Sequence, residues 1–199
     1  MKRLIAFTVA IAAAFLLAGC GGSNDNDDGQ AQGTAGSSSP TAQAAHNQAD
    51  VKFAQGMIPH HRQAVQMAEM ALRQASNQDV KNLASQIKAA QDPEIEKMSG
   101  WLTAWGEKVP ADTGNMDHTG IDMPGMMSQQ EMNELTAARG RDFDRMFLTM
   151  MIDHHEGAIQ MARDIQATGE NADVKALAKQ IESAQTAEIT HIQELLTTI

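Results

Sequence analysis

Residues 50–105 and 144–199 are two copies of one sequence: shifted by 94 positions they align without a gap, and 24 of the 56 pairs are identical. The matches include Phe53/Phe147, Met57/Met151, His60/His154, His61/His155, Met67/Met161, Asp79/Asp173, Gln91/Gln185 and Glu94/Glu188. A gapless repeat of this length means one supersecondary unit built twice. Its first half carries apolar residues at 3–4 spacing, Phe53, Met57, His60, Ala64, Met67 and Ala71, with Phe147, Met151, His154, Ala158, Met161 and Ile165 in the second copy. That is the period of an amphipathic helix. The second half repeats the pattern through Val80, Ala84, Ile87, Gln91, Ile95, Met98 and Leu102, and through Val174, Ala178, Ile181, Gln185, Ile189, Ile192 and Leu196. Turns are expected near Asn77 and at 169–171, with Asp79 and Asp173 in the first turns of the returning helices. Each copy therefore reads as a helical hairpin, and the fold class as all-α, an antiparallel four-helix bundle with a pseudo-twofold between the copies.

The histidine pairs fall inside the apolar sector of this pattern. A chain folded back about residues 76 and 170 brings Gln91 and Glu94 to the level of His60, and Gln185 and Glu188 to the level of His154. Eight polar side chains, His60, His61, Gln91, Glu94, His154, His155, Gln185 and Glu188, then cross the middle of an apolar bundle. Unpaired, each would cost about 1–3 kcal/mol. Two arrangements satisfy them: a structural network in which the imidazoles donate to the carboxylates, or a metal site in which the same carboxylates and amides hold the ligands from behind. Pro59, which faces Asp153 in the other copy, is expected to bend the first helix just before its pair.

The remainder of the chain sets the compartment. Lys2 and Arg3 precede an apolar run, Leu4–Leu17, too short to span a bilayer, and Leu17-Ala18-Gly19-Cys20 reads as a lipoprotein cleavage box, so residues 1–20 are expected to be a signal peptide and Cys20 the lipidated N-terminus. Cys20 is the one cysteine. Residues 21–45 are Gly, Ser, Asn, Asp, Gln and Ala without periodicity, the composition of a flexible tether. Residues 46–199 remain as a single domain with a real core. Loss of Lys2 and Arg3 takes the formal charge from −10 to −12. That argues against nucleic acid and against anionic membrane surfaces beyond the anchor, and favours cations.

Between the copies, residues 106–127 contain Met116, His118, Met123, Met126 and Met127 among Gly, Asp and Pro, with no helical or strand period. Ser128-Gln129-Gln130-Glu131 then resembles a capping box opening a short helix before Gly140. Thioether sulfur is a soft, neutral donor, and with imidazole it selects Cu(I) or Ag(I) over hard cations; Cu(II) is the second candidate. The mature chain would hold 13 methionines and no free thiol. The competing explanation for the linker is a flexible Met-rich flap over an apolar groove, outside the core.

Together, MIPHHRQAVQMA, QDPEIEKMSGWLTAWG, MPGMMS, FDRMFLTMMIDHHEGAIQMA and the cleavage box resemble the extracytoplasmic bacterial family called domain of unknown function 305. The resemblance spans about Ala45 to the C-terminus and implies a ferritin-like helical bundle. Because some members bind copper through Met and His, it also implies a role in copper handling, with His60, His61, Met67, His154, His155 and Met161 at the matching positions. Met57 and Met151, three positions before the histidine pairs, and the linker ligands rest on chemistry alone.

A ferritin-like di-iron enzyme is the third reading. It requires inward glutamates and two Glu-x-x-His elements. Glu188-Ile189-Thr190-His191 fits one, but its repeat partner ends in Lys97. No hydrolase or transferase motif is present, so no enzymatic activity is expected. The sequence thus leaves a copper-binding lipoprotein, whose partners would be the metal ion and a metal-delivery protein or second copy, against a non-metal interaction domain with an architectural histidine network.

Overall fold

The computed structural model describes residues 45–111 and 123–199. The signal segment with Cys20, the tether to residue 44, and Met116 and His118 lie outside the described residues. The described chain is all-helical: α1 (Gln48–Gln74), α2 (Gln78–Trp105), the short α3 (Gln129–Ala137), α4 (Gly140–Thr168) and α5 (Ala172–Thr198). The repeat is visible in the caps. Asn77 and Asn171 each accept the first backbone N–H groups of the helix that follows, and Asp79 and Asp173 sit in the first turns. Ser128 and Glu131 form the expected capping box of α3. Gly106 closes α2 with φ +74°, a conformation that favours glycine. Pro59 lies inside α1, and the helix runs on through it.

Three-residue turns make α1/α2 and α4/α5 into antiparallel hairpins, and the hairpins meet along α1 and α4. A matched pair of aspartates fixes that meeting. Asp50, at the start of α1, accepts from the backbone N–H of Glu170 and Asn171 beyond the end of α4, both at 3.1 Å. Asp144, its repeat mate at the start of α4, accepts from Ser76 N and Asn77 N beyond the end of α1, both at 2.9 Å, and from the Ser76 hydroxyl. Each helix start therefore ties to the other's end, so α1 and α4 are antiparallel and the copies are related by a pseudo-twofold. Both aspartates are buried. Asp144→Ala removes three bonds to a charged acceptor and should lower the unfolding free energy by about 2–4 kcal/mol. Urea denaturation measures it; a loss below about 0.5 kcal/mol would mean that the tie is ornamental.

The core is split in two. One apolar cluster takes the second half of α1, the first half of α4, α3 and the end of α5, and includes Met67, Phe143, Phe147 and Met151. The other takes the first half of α1 and the second half of α4, and includes Phe53, Met57, Ile58 and Ile165. Each of the pairs Phe53/Phe147 and Met57/Met151 is divided between the clusters, as a twofold requires. One expectation is overturned: the linker is not wholly outside the core. Met127 is 5% exposed and packs in the first cluster, because the chain must pass over the α1/α4 seam to reach α3.

Candidate metal centre

His60, His61, His154 and His155 are all 0% exposed, and with Gln91 and Gln185 they form the polar layer between the two apolar clusters. The copies meet within it: the His60 and His154 rings lie 3.9 Å apart, tilted by 46°. The outer histidines face the returning helices. His61 Nε2 donates to Glu94 Oε2 at 2.7 Å, and His155 Nε2 to Glu188 Oε2 at 2.6 Å. The turn register placed these carboxylates at the right level but beside His60 and His154. The structure gives them to the second histidine of each pair, which is rotated toward the partner helix of its own hairpin.

Burial, reinforced by the positive charge that His61 would carry, lowers the His60 pKa to about 3; its bond to the Pro124 carbonyl opposes this weakly. Burial, followed by His60 and His155, holds His154 well below the usual imidazole range; an approach to the His60 backbone, outside good hydrogen-bond geometry, opposes this. Both inner rings are therefore neutral at neutral pH. His60 Nε2 lies 3.0 Å from Pro124 O, which can only accept, so the proton sits on Nε2 and the Nδ1 lone pair is bare. The Glu94 and Glu188 carboxylates likewise require an N–H at Nε2 of His61 and His155. The Nδ1 atoms of His60, His61 and His155, and both ring nitrogens of His154, are buried without a hydrogen-bond partner, as are both amide atoms of Gln91 and the Gln185 oxygen. An imidazole whose N–H is held by a carbonyl or carboxylate and whose other nitrogen is bare is the usual state of a metal ligand.

The methionines divide. Met57 and Met151 are fully buried, one in each apolar cluster, a single turn from the inner histidines. Met67 is fully buried in the same apolar cluster as Met151, Phe143 and Phe147, about 10 Å along α1 from His60 by helix rise. Its mate Met161 is half-buried. At Gly56 an added Cβ would lie 3.2 Å from Met161 Cε and 3.6 Å from Met123 Sδ, so the α4 methionine and the linker methionine converge on α1 one turn before His60. Met126 is partly exposed and Met127 buried.

Residues 123–127 cross the α1/α4 seam as a strap. Gln63 Nε2 donates to Met127 O at 2.8 Å, and Met127 N donates to Gln63 Oε1 at 2.7 Å. Gly157, where the repeat has Gln63, lies so close that an added Cβ would overlap the Pro124 carbonyl. Upstream, Arg62 holds Pro110 O and Ala111 O at 2.8 and 2.9 Å. Both described ends of the linker are thus tied to α1 beside His60. Gln63, Gly157 and the Pro124 carbonyl did not register in the sequence reading. The signal that could have found them is the repeat itself, which breaks from a buried amide to a bare glycine at 63/157.

Among the described residues no three His, Cys, Asp or Glu side chains converge as a ready-made ligand set. Imidazole nitrogen and methionine sulfur together are the donor set of a soft metal. Of the residues of the Glu-x-x-His element, His191 is 49% exposed with Glu194 at 3.8 Å, and Glu188 is engaged with His155.

Fold and site define a duplicated, all-helical domain whose copies join at a buried imidazole layer rimmed by thioethers. The chain belongs to the DUF305 family, a domain of unknown function, which it matches over residues 50–196. It is similar to CopM, solved in a Cu(II)-bound form, with 33% identity and a TM-score of 0.65 over 75% of this chain and 96% of that one. CopM has also been solved in Cu(I)-bound and Ag-bound forms. A DUF305 protein from Streptomyces coelicolor, described as a candidate secreted protein, is 30% identical with a TM-score of 0.66, covering 79% of this chain and 95% of its own. A DUF305 fragment from Deinococcus radiodurans is 29% identical with a TM-score of 0.69, covering 77% and 98%. No functionally curated protein matches.

Proposed function

We propose that this protein is an extracytoplasmic lipoprotein, anchored through Cys20, that binds copper or silver in the histidine layer and carries or buffers it without enzymatic chemistry. The observation that carries the reading is the inner pair: His60 and His154 are fully buried, neutral imidazoles with rings 3.9 Å apart, and His60 Nδ1 has no hydrogen-bond partner. Leaving such a group unpaired costs about 1–3 kcal/mol, a cost that a purely architectural residue would have no reason to retain. The two hairpins are read as halves of an antiparallel, ferritin-like four-helix bundle. The copper- and silver-bound forms of CopM, at 33% identity, support the choice of ion.

The geometry supports the following assignment of roles. His60 and His154 are the inner ligands, with Met123 and Met161 as the sulfur donors nearest the α1 side and Met57 and Met151 flanking the layer. His61 and His155 offer bare Nδ1 atoms to a second ion or, through Glu94 and Glu188, keep the hairpins in register. Met116 and His118 add donors in the linker. Cu(I) is favoured over Cu(II) because the donors are neutral and soft.

Titration of the protein from residue 21 onward with Cu(I), Ag(I), Cu(II) and Zn(II) tests this. Saturable binding of Cu(I) and Ag(I), tighter than that of Zn(II) and with sulfur and nitrogen scatterers in the metal's X-ray absorption spectrum, is expected. Absence of Cu(I) and Ag(I) binding at micromolar protein would overturn the reading and leave the interaction domain in its place.

A further inference from the structure

We propose that Gln63 is a positioning residue: with Gly157 opposite, it seats the Met123–Met127 strap so that the strap closes the route to the His60–His154 pair and presents His60 through Nδ1. The purpose of this device rests on the metal-binding reading, but the device itself rests on the strap's contacts.

A duplicated domain presents equivalent surroundings to both copies, so a single segment laid over their seam must break the symmetry where it touches. The contacts show that break. Gln63 is 1% exposed and spends both ends of its amide on one residue, Met127, whose own N–H and C=O would otherwise be buried without partners. Across the seam the equivalent position is Gly157, and only the absence of a side chain lets the Pro124 carbonyl approach α4. Gly125, at φ +74°, turns the strap against the Asp153 carbonyl in a conformation and a space that admit no Cβ. One helix thus grips the strap and the other makes room for it.

The consequence falls on the inner rings. A backbone carbonyl can only accept, and at residue 124 the strap turns one toward His60 Nε2 at 3.0 Å. It therefore selects the Nε2–H form of His60 and no other. His154, the repeat mate, receives no carbonyl from the strap; its backbone neighbour is His60 of α1, outside good hydrogen-bond geometry. With the strap seated the pair is sealed from water; with it lifted, His60 loses its tautomer lock and both rings gain access to solvent.

Two variants separate strap from fold. Gln63→Leu removes the grip from α1. Gly157→Ala blocks the seat from α4 while replacing a helix-interior glycine with the strongest helix former, so α4 itself is not weakened. In the metal-free mature chain, diethyl pyrocarbonate modification of His60 and His154 should accelerate at least tenfold in both variants while His61 and His155 remain slow. The ¹⁵N spectrum of the His60 ring should change from one tautomer to a mixture, and Ag(I) uptake in stopped flow should be faster. General destabilisation would instead expose all four histidines together, and that outcome, or unchanged modification and tautomer in both variants, overturns the proposal. Rates of Ag(I) uptake equal to wild type despite an open strap would also overturn its gating role. If wild type takes up no Ag(I), the metal reading falls alone, and the modification and tautomer results still decide the strap.

Discussion

Acidification of the metal-free protein from pH 7 to pH 4 should remove several kcal/mol of its stability. His60 is held at about 3 in the fold by burial and by neighbouring His61, whereas in the unfolded chain it titrates near 6.5. Between those values the unfolded state binds a proton that the folded state refuses. Unfolding is therefore favoured as pH falls: the full contribution is present above about 6.5 and is lost progressively toward 3. At about 1.4 kcal/mol per pH unit, one such group costs about 3 kcal/mol at pH 4. His154 is displaced in the same direction for the same first cause. Both losses draw on a typical domain stability of about 5–15 kcal/mol, so the urea midpoint should fall steadily as pH drops below about 6.5. Urea melts followed by circular dichroism at half-unit pH steps give the measurement. A midpoint that stays constant from pH 7 to pH 4 would mean that the inner rings are hydrated, and the buried layer would have to be redrawn.

The helices, their turns and the level of the histidine layer were legible because each depends on local spacing or on folding about a short turn, and the repeat supplied every observation twice. What escaped depends on contacts far apart in sequence. Asp50 and Asp144 were the first identical pair of the repeat, yet their acceptor role joins residues about 70 and 120 positions apart, and no periodicity reports that. The division of labour within each histidine pair also required the rotation of α1 against α2, which a register count along the chain does not contain. The strap was read as aperiodic and therefore outside the core. It is aperiodic, but its backbone is held by side chains from the helices, so irregularity and burial coexist.

Replacing His154 with leucine should leave the metal-free protein as stable as wild type or more so, by up to about 2 kcal/mol, and should abolish the metal-dependent rise in melting temperature. The first half follows from the bare ring nitrogens. No well-formed hydrogen bond is lost, only a poorly aligned approach to the His60 backbone; two desolvated polar atoms are removed, and an aliphatic group of similar bulk faces the His60 ring. The second half follows from mass action: an ion at a hundred times its dissociation constant adds about 2.7 kcal/mol to the folded state, a shift of several degrees for a domain of this size, and the variant lacks the ligand. His61→Leu provides the contrast, since it strips Glu94 of its partner at the hairpin contact and should destabilise by about 1–2 kcal/mol. An architectural network predicts that both substitutions destabilise; a site retained for its ion predicts opposite signs at the two positions. Calorimetric scans of both variants with and without Ag(I) decide between them. If His154→Leu melts well below wild type without metal, the ring is part of the scaffold, and the ions must be held by the linker instead.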